Sequence, residues 1–398
     1  SSSSSRGFIC KRTLIDERRL SHDVLSKDFF LFSTTTFTMT FTTTRGGTLL
    51  CAAARSAALY SATTLCDFDA RRRRRRRRCV GKTTPLPRIR GWWCSLMKEN
   101  GYVTSDGIEI SAIERMNKGN NVALILLHGS YHAKWCYLEH FFDYFGYENA
   151  DDGQNVDVFA MDFRGQGESG MKKDGGNVAG TLEKHAEDVR EYAKYIRGRK
   201  KYEKVFVVGH SFGGLIAQKV FAEDSDDDER VKEAKLFDGM ILLASVPPTG
   251  NSEMVKRFLK KDLWKSMKIT YAFISKQFGA DPKSCRECFF SEEVEEKDIE
   301  KYMRLINDSS KARLLDLKKL NEELPIVDKS KGRQKGKEKV LVIGGKDDYV
   351  VDEEGVRETA EFWHVEANLI EGLAHDVMLD AKWQTVAERM MQFVNSSS

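Results

Sequence analysis

Long apolar runs are missing from this 398-residue chain, which has no stretch of about 18 consecutive apolar residues. A transmembrane helix needs a run of roughly that length, so the sequence predicts no membrane span. Excess positive charge is also missing from most of the chain, because residues 98–398 carry 45 Lys and Arg against 54 Asp and Glu. Nucleic-acid-binding domains are usually basic, so no nucleic-acid partner is expected.

Closely spaced cysteines are scarce as well. The chain has eight cysteines, and only Cys285 and Cys288 form a C-x-x-C pair. A zinc ribbon needs a second pair, and no other cluster has the spacing of metal ligands, so no metal site is predicted. Residues 209–214 are glycine-rich but lack the register of a dinucleotide loop, so no organic cofactor is expected. We interpret the two cysteines as reduced side chains in a helical region.

Acidic residues are absent from residues 39–66, which start at the first methionine, Met39, and are rich in Thr, Ser and small residues. This composition is typical of an organellar transit peptide rather than a secretory signal. We therefore expect residues 1–94 to be disordered and presequence-like. A plastid is the favoured destination, ahead of a mitochondrion, with a cytoplasmic location as the alternative. A true start at Met39 competes with one at Ser1.

Eight consecutive arginines, residues 71–78, make this head strongly basic, and residues 1–97 carry 19 Lys and Arg against 6 Asp and Glu. Like charges at this density repel one another, and no aromatic residues alternate with them to stack on bases. A solvated disordered tract, alone or within the presequence, is favoured over a nuclear or nucleic-acid tag. Pro85 and Pro87 follow, and we place the start of the folded domain near residue 95.

Strand and helix patterns alternate along the rest of the chain. Strand-like apolar runs occupy residues 108–115, 122–127, 156–161, 204–208, 237–244, 340–343 and 366–370. Helix-like segments separate most of them, among them residues 135–145, 180–197, 353–363 and 377–394, which predicts an α/β fold on a parallel sheet. The alternation stops after Pro248, and residues 249–328 are helix-like, with many Phe and Met residues among charges.

A nucleophile motif lies where the strand at 204–208 meets the helix predicted over 212–223. Residues 209–213 read Gly-His-Ser-Phe-Gly, which is the G-x-S-x-G pattern in the strand–turn–helix context that a nucleophile elbow requires. The serine of such a turn takes a strained backbone conformation, and its glycine neighbours let strand and helix approach closely. Ser211 is therefore the candidate nucleophile.

The general base and the acid that orients it are expected in loops after later strands, because the carboxyl ends of parallel strands meet at one edge of the sheet. His375 follows the strand at 366–370 and precedes a helix, so we predict it as the base. Asp347, Asp348 and Asp352 compete for the acid. Asp348 is favoured, and Asp347 is its close rival.

Two amide donors are expected for an oxyanion. The amide of Phe212 opens the helix after the nucleophile, where the helix dipole favours negative charge. The second should come from the loop after the central strand, and we assign it to Ser130, with Tyr131 as the alternative. Tyr131 and His210 are also candidate substrate contacts, although the side chain of His210 should point away from Ser211.

Together these motifs resemble the α/β-hydrolase superfamily. They are residues 127–130, 162–169, 209–213, 345–348 and 372–375, in this order. The sequences of residues 128–135 and 375–380 are similar to those found in poorly characterised α/β-hydrolases of plants, algae and bacteria. The resemblance covers roughly residues 100–398 and implies Ser211, Asp348 and His375 as the triad. It also implies a mostly parallel eight-stranded sheet flanked by helices, with a helical cap at 246–336 inserted after strand six, and a structural role for 162–169.

The leading hypothesis is a serine hydrolase that cleaves an ester or related acyl bond of a small-molecule substrate. Ser211 would form an acyl-enzyme that water then releases. The Phe- and Met-bearing cap favours an apolar or lipid-like substrate. Two alternatives stay open: hydroxynitrile-lyase-like or cofactor-free haloperoxidase chemistry with the same triad, and a non-catalytic ligand receptor on the same fold. The sequence does not predict the oligomeric state.

Overall fold

Eight strands form one sheet in the computed structural model, which describes residues 97–116, 119–146, 156–172, 176–224, 235–310, 312–328 and 339–396. The strands are β1 (Met97–Val103), β2 (Glu109–Arg115), β3 (Val122–Leu127), β4 (Asp157–Met161), β6 (Lys204–His210), β7 (Gly239–Leu243), β9 (Val340–Gly345) and β10 (Ala367–Ile370). Their order across the sheet is β1-β2-β4-β3-β6-β7-β9-β10. The presequence-like segment 1–94 and residues 329–338, part of a lysine-rich stretch between the cap and β9, lie outside the described residues.

The sheet is mostly parallel. Only the pairs β1–β2 and β2–β4 are antiparallel, and the strands from β4 to β10 in the sheet order run parallel. Every residue of β3 is buried, as are those of β4, β7 and β9. Strands covered on both faces need continuous apolar sequences, which explains why these runs were recognisable in the chain.

Helices cover both faces of the sheet. On one face the buried core includes residues of α3 (Leu182–Arg199), α4 (Phe212–Glu223) and α10 (Glu353–Phe362). On the other face it includes residues of α1 (Trp135–Leu138), α2 (Phe141–Gly146) and α11 (Trp383–Ser396). This arrangement of layers confirms the predicted α/β-hydrolase fold class. None of the helices in these ranges is long and apolar enough to cross a bilayer.

A cap lies between β7 and β9, after the sixth strand of the main sheet in chain order. Its helices are α5 (Ser252–Lys261), α6 (Leu263–Ser275), α7 (Pro282–Phe289), α8 (Glu296–Ser309) and α9 (Leu317–Glu323), with a 3-10 turn at Gln277–Gly279. The cap is not wholly helical, since β8 (Arg313–Leu315) pairs in parallel with β5 (Val178–Gly180) of the main domain. Cys285 and Cys288 are buried free thiols in α7.

Three local features differ from the sequence prediction. Strand β1 was not predicted, because its residues are mostly polar and it lies at the sheet edge, where no apolar run is needed. The helix predicted over 135–145 is divided into α1 and α2. The last helix was expected from residue 377 but begins at Trp383, because Asp380 is held by hydrogen bonds from the amide and hydroxyl of Ser291 in the cap.

Candidate active site

Ser211 occupies the turn between β6 and α4, in the middle of the sheet. Its backbone is strained, with φ 55° and ψ −124°. The flanking glycines are required by close backbone contacts: a Cβ on Gly209 would lie 2.5 Å from the carbonyl oxygen of Gly213, and one on Gly213 would lie 2.3 Å from that of His128. The turn therefore has the geometry of a nucleophile elbow, as the sequence predicts.

A buried carboxylate orients His375. The Nδ1–H of His375 donates to Oδ2 of Asp348 over 2.8 Å, while Oδ1 of Asp348 accepts the amides of Val350 at 2.6 Å and Val351 at 2.9 Å. Asp347 is exposed. The structure thus brings Asp348, and not Asp347, to the histidine.

The surroundings of His375 favour its protonated form. Burial, which is the largest influence, acts to lower the pKa of His375, but the charge of Asp348, its hydrogen bond and the charge of Asp376 together raise it above the ordinary value of 6.5. A base of this kind is neutral only when the pH exceeds its raised pKa. Once neutral, it is a better proton acceptor than an unperturbed imidazole.

A cavity of about 110 Å³ joins these groups. Its lining residues are Ser130, Tyr131, Ser211, Phe212, Val246, Asn251, Met254, Val255, Phe273, Phe289, Ser310, Arg313, Leu314, Leu315, Leu317, Val350 and His375. Most of them are apolar, and many come from the cap. The predicted nucleophile, base and oxyanion donors therefore face one mainly apolar space between the sheet edge and the cap.

Amide groups that could receive a negative charge lie beside the serine. The backbone amides of Ser130, Tyr131 and Phe212 have no acceptor within the described residues. Phe212 is the first residue of α4, so the positive end of that helix dipole points to this spot. Tyr131 has a positive φ of 67°, which turns the loop after β3 toward the cavity. Both the assigned donor, Ser130, and its alternative, Tyr131, remain compatible with this geometry.

His210, which was predicted as a candidate substrate contact, does not face the cavity. Its ring is fully buried and is not part of the cavity lining, and its Nε2–H donates to the carbonyl oxygen of His375 over 3.0 Å. Burial and the neighbouring His375 lower the pKa of His210 to about 3, so the ring is neutral. It supports the loop that carries His375. The second candidate contact, Tyr131, does line the cavity and packs on Phe273 and Phe278.

A second buried histidine–carboxylate pair was missed at the level of sequence. The Nε2–H of His132 donates to Oδ2 of Asp376 over 2.8 Å, and its Nδ1–H donates to the carbonyl oxygen of Ser130 over 2.9 Å. The signal was visible only in part: Asp376 directly follows the predicted base, and His132 lies two residues after the predicted donor Ser130. Nothing in the spacing indicates that they meet.

Asp162 anchors the loop after β4. It accepts hydrogen bonds from the amides of Lys134 and Glu168, and Lys134 Nζ lies 2.7 Å from its Oδ2. Burial works to lower the pKa of Lys134, but Asp162 and Glu168 together raise it, so the amine stays charged. These contacts fit the structural role that the resemblance implies for residues 162–169.

One group of side chains has a spacing suited to a metal ion. Ligand atoms of His210, His375 and Asp376 lie within 4.8 Å of one another. However, Nε2 of His210 donates to the carbonyl of His375, and Nδ1 of His375 donates to Asp348. These two nitrogens have no lone pair left for a cation, so only Nδ1 of His210 and Nε2 of His375 could bind one, together with Asp376.

Comparisons with known proteins agree with the fold. The model of the alpha/beta hydrolase family matches residues 124–389, and the chain belongs to this family. A search of curated proteins finds no match. Among solved structures, the chain is similar to the esterase EaEST from Exiguobacterium antarcticum, at 18% identity and TM-score 0.50, covering 75% of this chain and 100% of that one.

Two further structures share the fold. The esterase RhEst1 from Rhodococcus sp. ECU1013 has 17% identity and TM-score 0.51, with 74% of this chain and 98% of that one covered. A bromoperoxidase from Bacillus anthracis has 15% identity and TM-score 0.50, with 75% and 100% covered. At these identities the likeness establishes the architecture alone.

Proposed function

We propose that this protein is a serine hydrolase that cleaves an ester or related acyl bond of a small, mainly apolar substrate. Ser211 attacks the acyl carbon while His375 takes its proton, and Asp348 stabilises the resulting imidazolium. The amides of Phe212 and Ser130 receive the oxyanion. His375 then returns the proton to the leaving alcohol, and water, activated by the same histidine, releases the acid and restores the serine.

The observation that carries this proposal is the shared cavity. Ser211, His375 and both donor residues line it, and Nδ1 of His375 is already occupied by Asp348. The ring is thereby fixed in the tautomer that leaves Nε2 to accept a proton. The strained backbone of Ser211 lowers the stability of the fold, and such strain is typical of functional sites rather than of structural serines.

The size and lining of the cavity favour a short apolar acyl group. A water-sized position takes about 10–15 Å³, so 110 Å³ holds on the order of ten such positions. Apolar cap residues such as Met254, Val255 and Phe273 form much of the wall. A longer lipid-like molecule would place its acyl end here and extend outward along the cap.

A fluorophosphonate probe tests the nucleophile. The wild-type chain should be labelled, and Ser211→Ala should lose all labelling, because the probe reacts only with an activated serine. Ser245→Ala is a matched control, since Ser245 is also buried nearby but donates its hydroxyl to the carbonyl of Val246. Absence of wild-type labelling would contradict the proposal and favour a receptor.

Turnover of p-nitrophenyl esters of graded chain length tests the substrate class. Short acyl chains should give the highest kcat/KM, with a decline as the chain outgrows the cavity. Release of acid with no turnover of cyanohydrins or halide substrates would separate ester hydrolysis from lyase and haloperoxidase chemistry. Robust cyanohydrin cleavage without ester hydrolysis would overturn the proposal.

A further inference from the structure

The outward face of cap helix α6 is apolar and uncovered. Trp264 is 81% exposed, Tyr271 62% and Met267 53%, and their spacing places them on one side of the helix. The opposite side, with Ile269 and Ala272, is buried against the rest of the cap. Large exposed apolar side chains in the described residues are concentrated here: five of nine lie between residues 259 and 271.

Positive charge surrounds this face. Residues 252–276 carry seven Lys and Arg and two Asp and Glu, although residues 98–398 as a whole are acidic. Lys260 and Lys261 end α5, whereas on α6 Lys268 pairs with Glu287 and Lys265 lies over the ring of Tyr349. An apolar stripe that contains Trp and Tyr and is bordered by lysines has the chemistry of an interfacial helix, which inserts its apolar side chains and attracts anionic headgroups.

The same two helices form part of the cavity wall. Met254 and Val255 of α5 and Phe273 of α6 face the cavity, while Trp264, Met267 and Tyr271 face outward. A surface that rests on α6 is thus separated from the cavity by the thickness of one helix. This placement suits an enzyme that takes acyl substrates from a lipid layer.

We propose that the apolar face of α6 docks this protein on an anionic lipid surface. The arrangement is peripheral: Trp264, Met267 and Tyr271 enter the headgroup region, and the surrounding lysines contact acidic headgroups. Binding of this kind is independent of the hydrolase proposal, because it requires no turnover.

Vesicle binding by the full chain tests the surface. Because the arginines at 71–78 would themselves bind acidic lipid, all variants are made in a full-length background in which these eight are replaced by serine. This background should bind phosphatidylcholine vesicles that contain phosphatidylglycerol, and bind pure phosphatidylcholine weakly. The triple variant Trp264→Ser, Met267→Ser, Tyr271→Ser should bind about tenfold more weakly or worse.

Two controls make the result specific. Val103→Ser with Val327→Ser removes exposed apolar side chains elsewhere and should leave binding unchanged. Lipids brominated on their acyl chains should quench Trp fluorescence of the background, and Trp264→Phe should abolish most of that quenching. Equal binding by background and triple variant, or quenching unaffected by Trp264→Phe, would overturn the proposal. The proposal would also be overturned if the protein were a dimer in solution without vesicles and the triple variant were a monomer. That result would assign this face to contact with a second copy of the chain.

An independent observation concerns the buried pair of His132 and Asp376. Both ring nitrogens of His132 are engaged, one with the carbonyl oxygen of Ser130 and the other with the carboxylate of Asp376. Burial acts to raise the pKa of Asp376, but His132, with His210 and His375, lowers it, so the carboxylate is ionised. The two side chains are 1% and 0% exposed.

The pair connects the two loops that act on the substrate. His132 holds the carbonyl of Ser130, in the loop with the oxyanion donors, and Asp376 is the residue after His375. Fixing the Ser130 carbonyl restrains Ser130, whose amide is the assigned donor, and fixes the plane of the peptide that carries the alternative donor, the Tyr131 amide. Resting on the proposed function, we infer that His132 and Asp376 are positioning residues that keep the oxyanion donors in register with the base.

Kinetics of His132→Gln test this role. We expect kcat to fall about 10- to 100-fold with KM nearly unchanged, since misplaced donors weaken only the transition state. Affinity for a trifluoromethyl ketone, which forms an oxyanion on Ser211, should fall in parallel. His185→Gln is the control, because His185 is equally buried but bonds only the Leu314 carbonyl, and its kcat should stay within a few-fold.

The double variant His132→Gln, Asp376→Asn completes the cycle. It should lose less stability than the sum of the two single variants, because each single change leaves one buried polar group without its hydrogen-bond partner. A His132→Gln enzyme that melts at lower temperature but keeps its kcat and ketone affinity would reduce the pair to a structural role. Absence of turnover in wild type would instead refute the hydrolase proposal, so the two failures are distinguishable.

Discussion

Two histidine–carboxylate pairs lie side by side in this protein and differ in one respect. In each, a buried imidazole donates over 2.8 Å to a buried carboxylate. The remaining nitrogen of His132 is bonded to the carbonyl of Ser130, whereas His375 lines the cavity with Ser211 and its Nε2 has no hydrogen-bond partner within the described residues. The same kind of pair can therefore suit a catalytic or a structural role. The environment of the imidazole nitrogen that does not bond the carboxylate distinguishes the two.

The carboxylates differ in a matching way. Asp348 directs one oxygen to His375 and the other to two backbone amides, so its position is set by the loop after β9. Asp376 has Oδ1 buried with no hydrogen-bond partner in the described part of the chain, 3.8 Å from Nε2 of His210. Both oxygens of the first carboxylate are hydrogen-bonded, whereas the second carboxylate is hydrogen-bonded through Oδ2, by His132.

The largest difference between the two pairs is expected when His375 and His132 are each replaced by Gln and kcat/KM is compared. His375→Gln is expected to lower kcat/KM by about three or more orders of magnitude, because no other group can take the serine proton. His132→Gln should cost about one to two orders. Ester hydrolysis by both variants, measured at one pH with folding checked by circular dichroism, gives the comparison. Equal losses would mean that the two pairs do not have separate roles.

Replacing the acid should change both rate and pH dependence. Wild-type kcat/KM should rise as His375 loses its proton, with a midpoint above 6.5 because the pKa of His375 is raised. Asp348→Asn should lower kcat/KM about 100-fold or more. Its midpoint should shift to lower pH, since the carboxylate charge no longer opposes the effect of burial. An unshifted midpoint would show that Asp348 does not set the pKa of the base.

The smallest effect is expected at His210. Its ring is neutral and contributes one hydrogen bond, to the carbonyl of His375. His210→Gln keeps an amide N–H for that bond and should lower kcat/KM by less than about tenfold. Chain-length preference for p-nitrophenyl esters should not change, since the ring does not line the cavity. An altered preference would restore His210 as a substrate contact.

Local patterns carried most of what could be predicted. The elbow around Ser211 is contiguous in sequence, and the buried strands on both sides need apolar residues throughout, so each could be recognised from a few residues. The order of Ser211, Asp348 and His375 then follows from the order of the strands. Asp348 was preferred to Asp347 for its inward position, and the geometry places it at the histidine.

Contacts between distant segments could not be predicted in this way. His132 and Asp376 are 244 residues apart, and no periodicity relates them. Strand β8 has only three residues and is defined by its pairing with β5, which belongs to another part of the chain. Strand β1 could not be recognised either, because it is mostly polar and is defined by its antiparallel pairing with β2.

The bare α-carbon of Gly213 against the carbonyls of Leu127 and His128 has a consequence for engineering. Main-chain atoms of the serine turn and of the loop after β3 touch directly, so the gap between the two donor amides is set by backbone and not by any replaceable side chain. Substitution of the cavity-facing cap residues could therefore alter selectivity while the distance between the two amides is kept, provided that Phe289 and Ser291, which bond the loop of His375, stay in place.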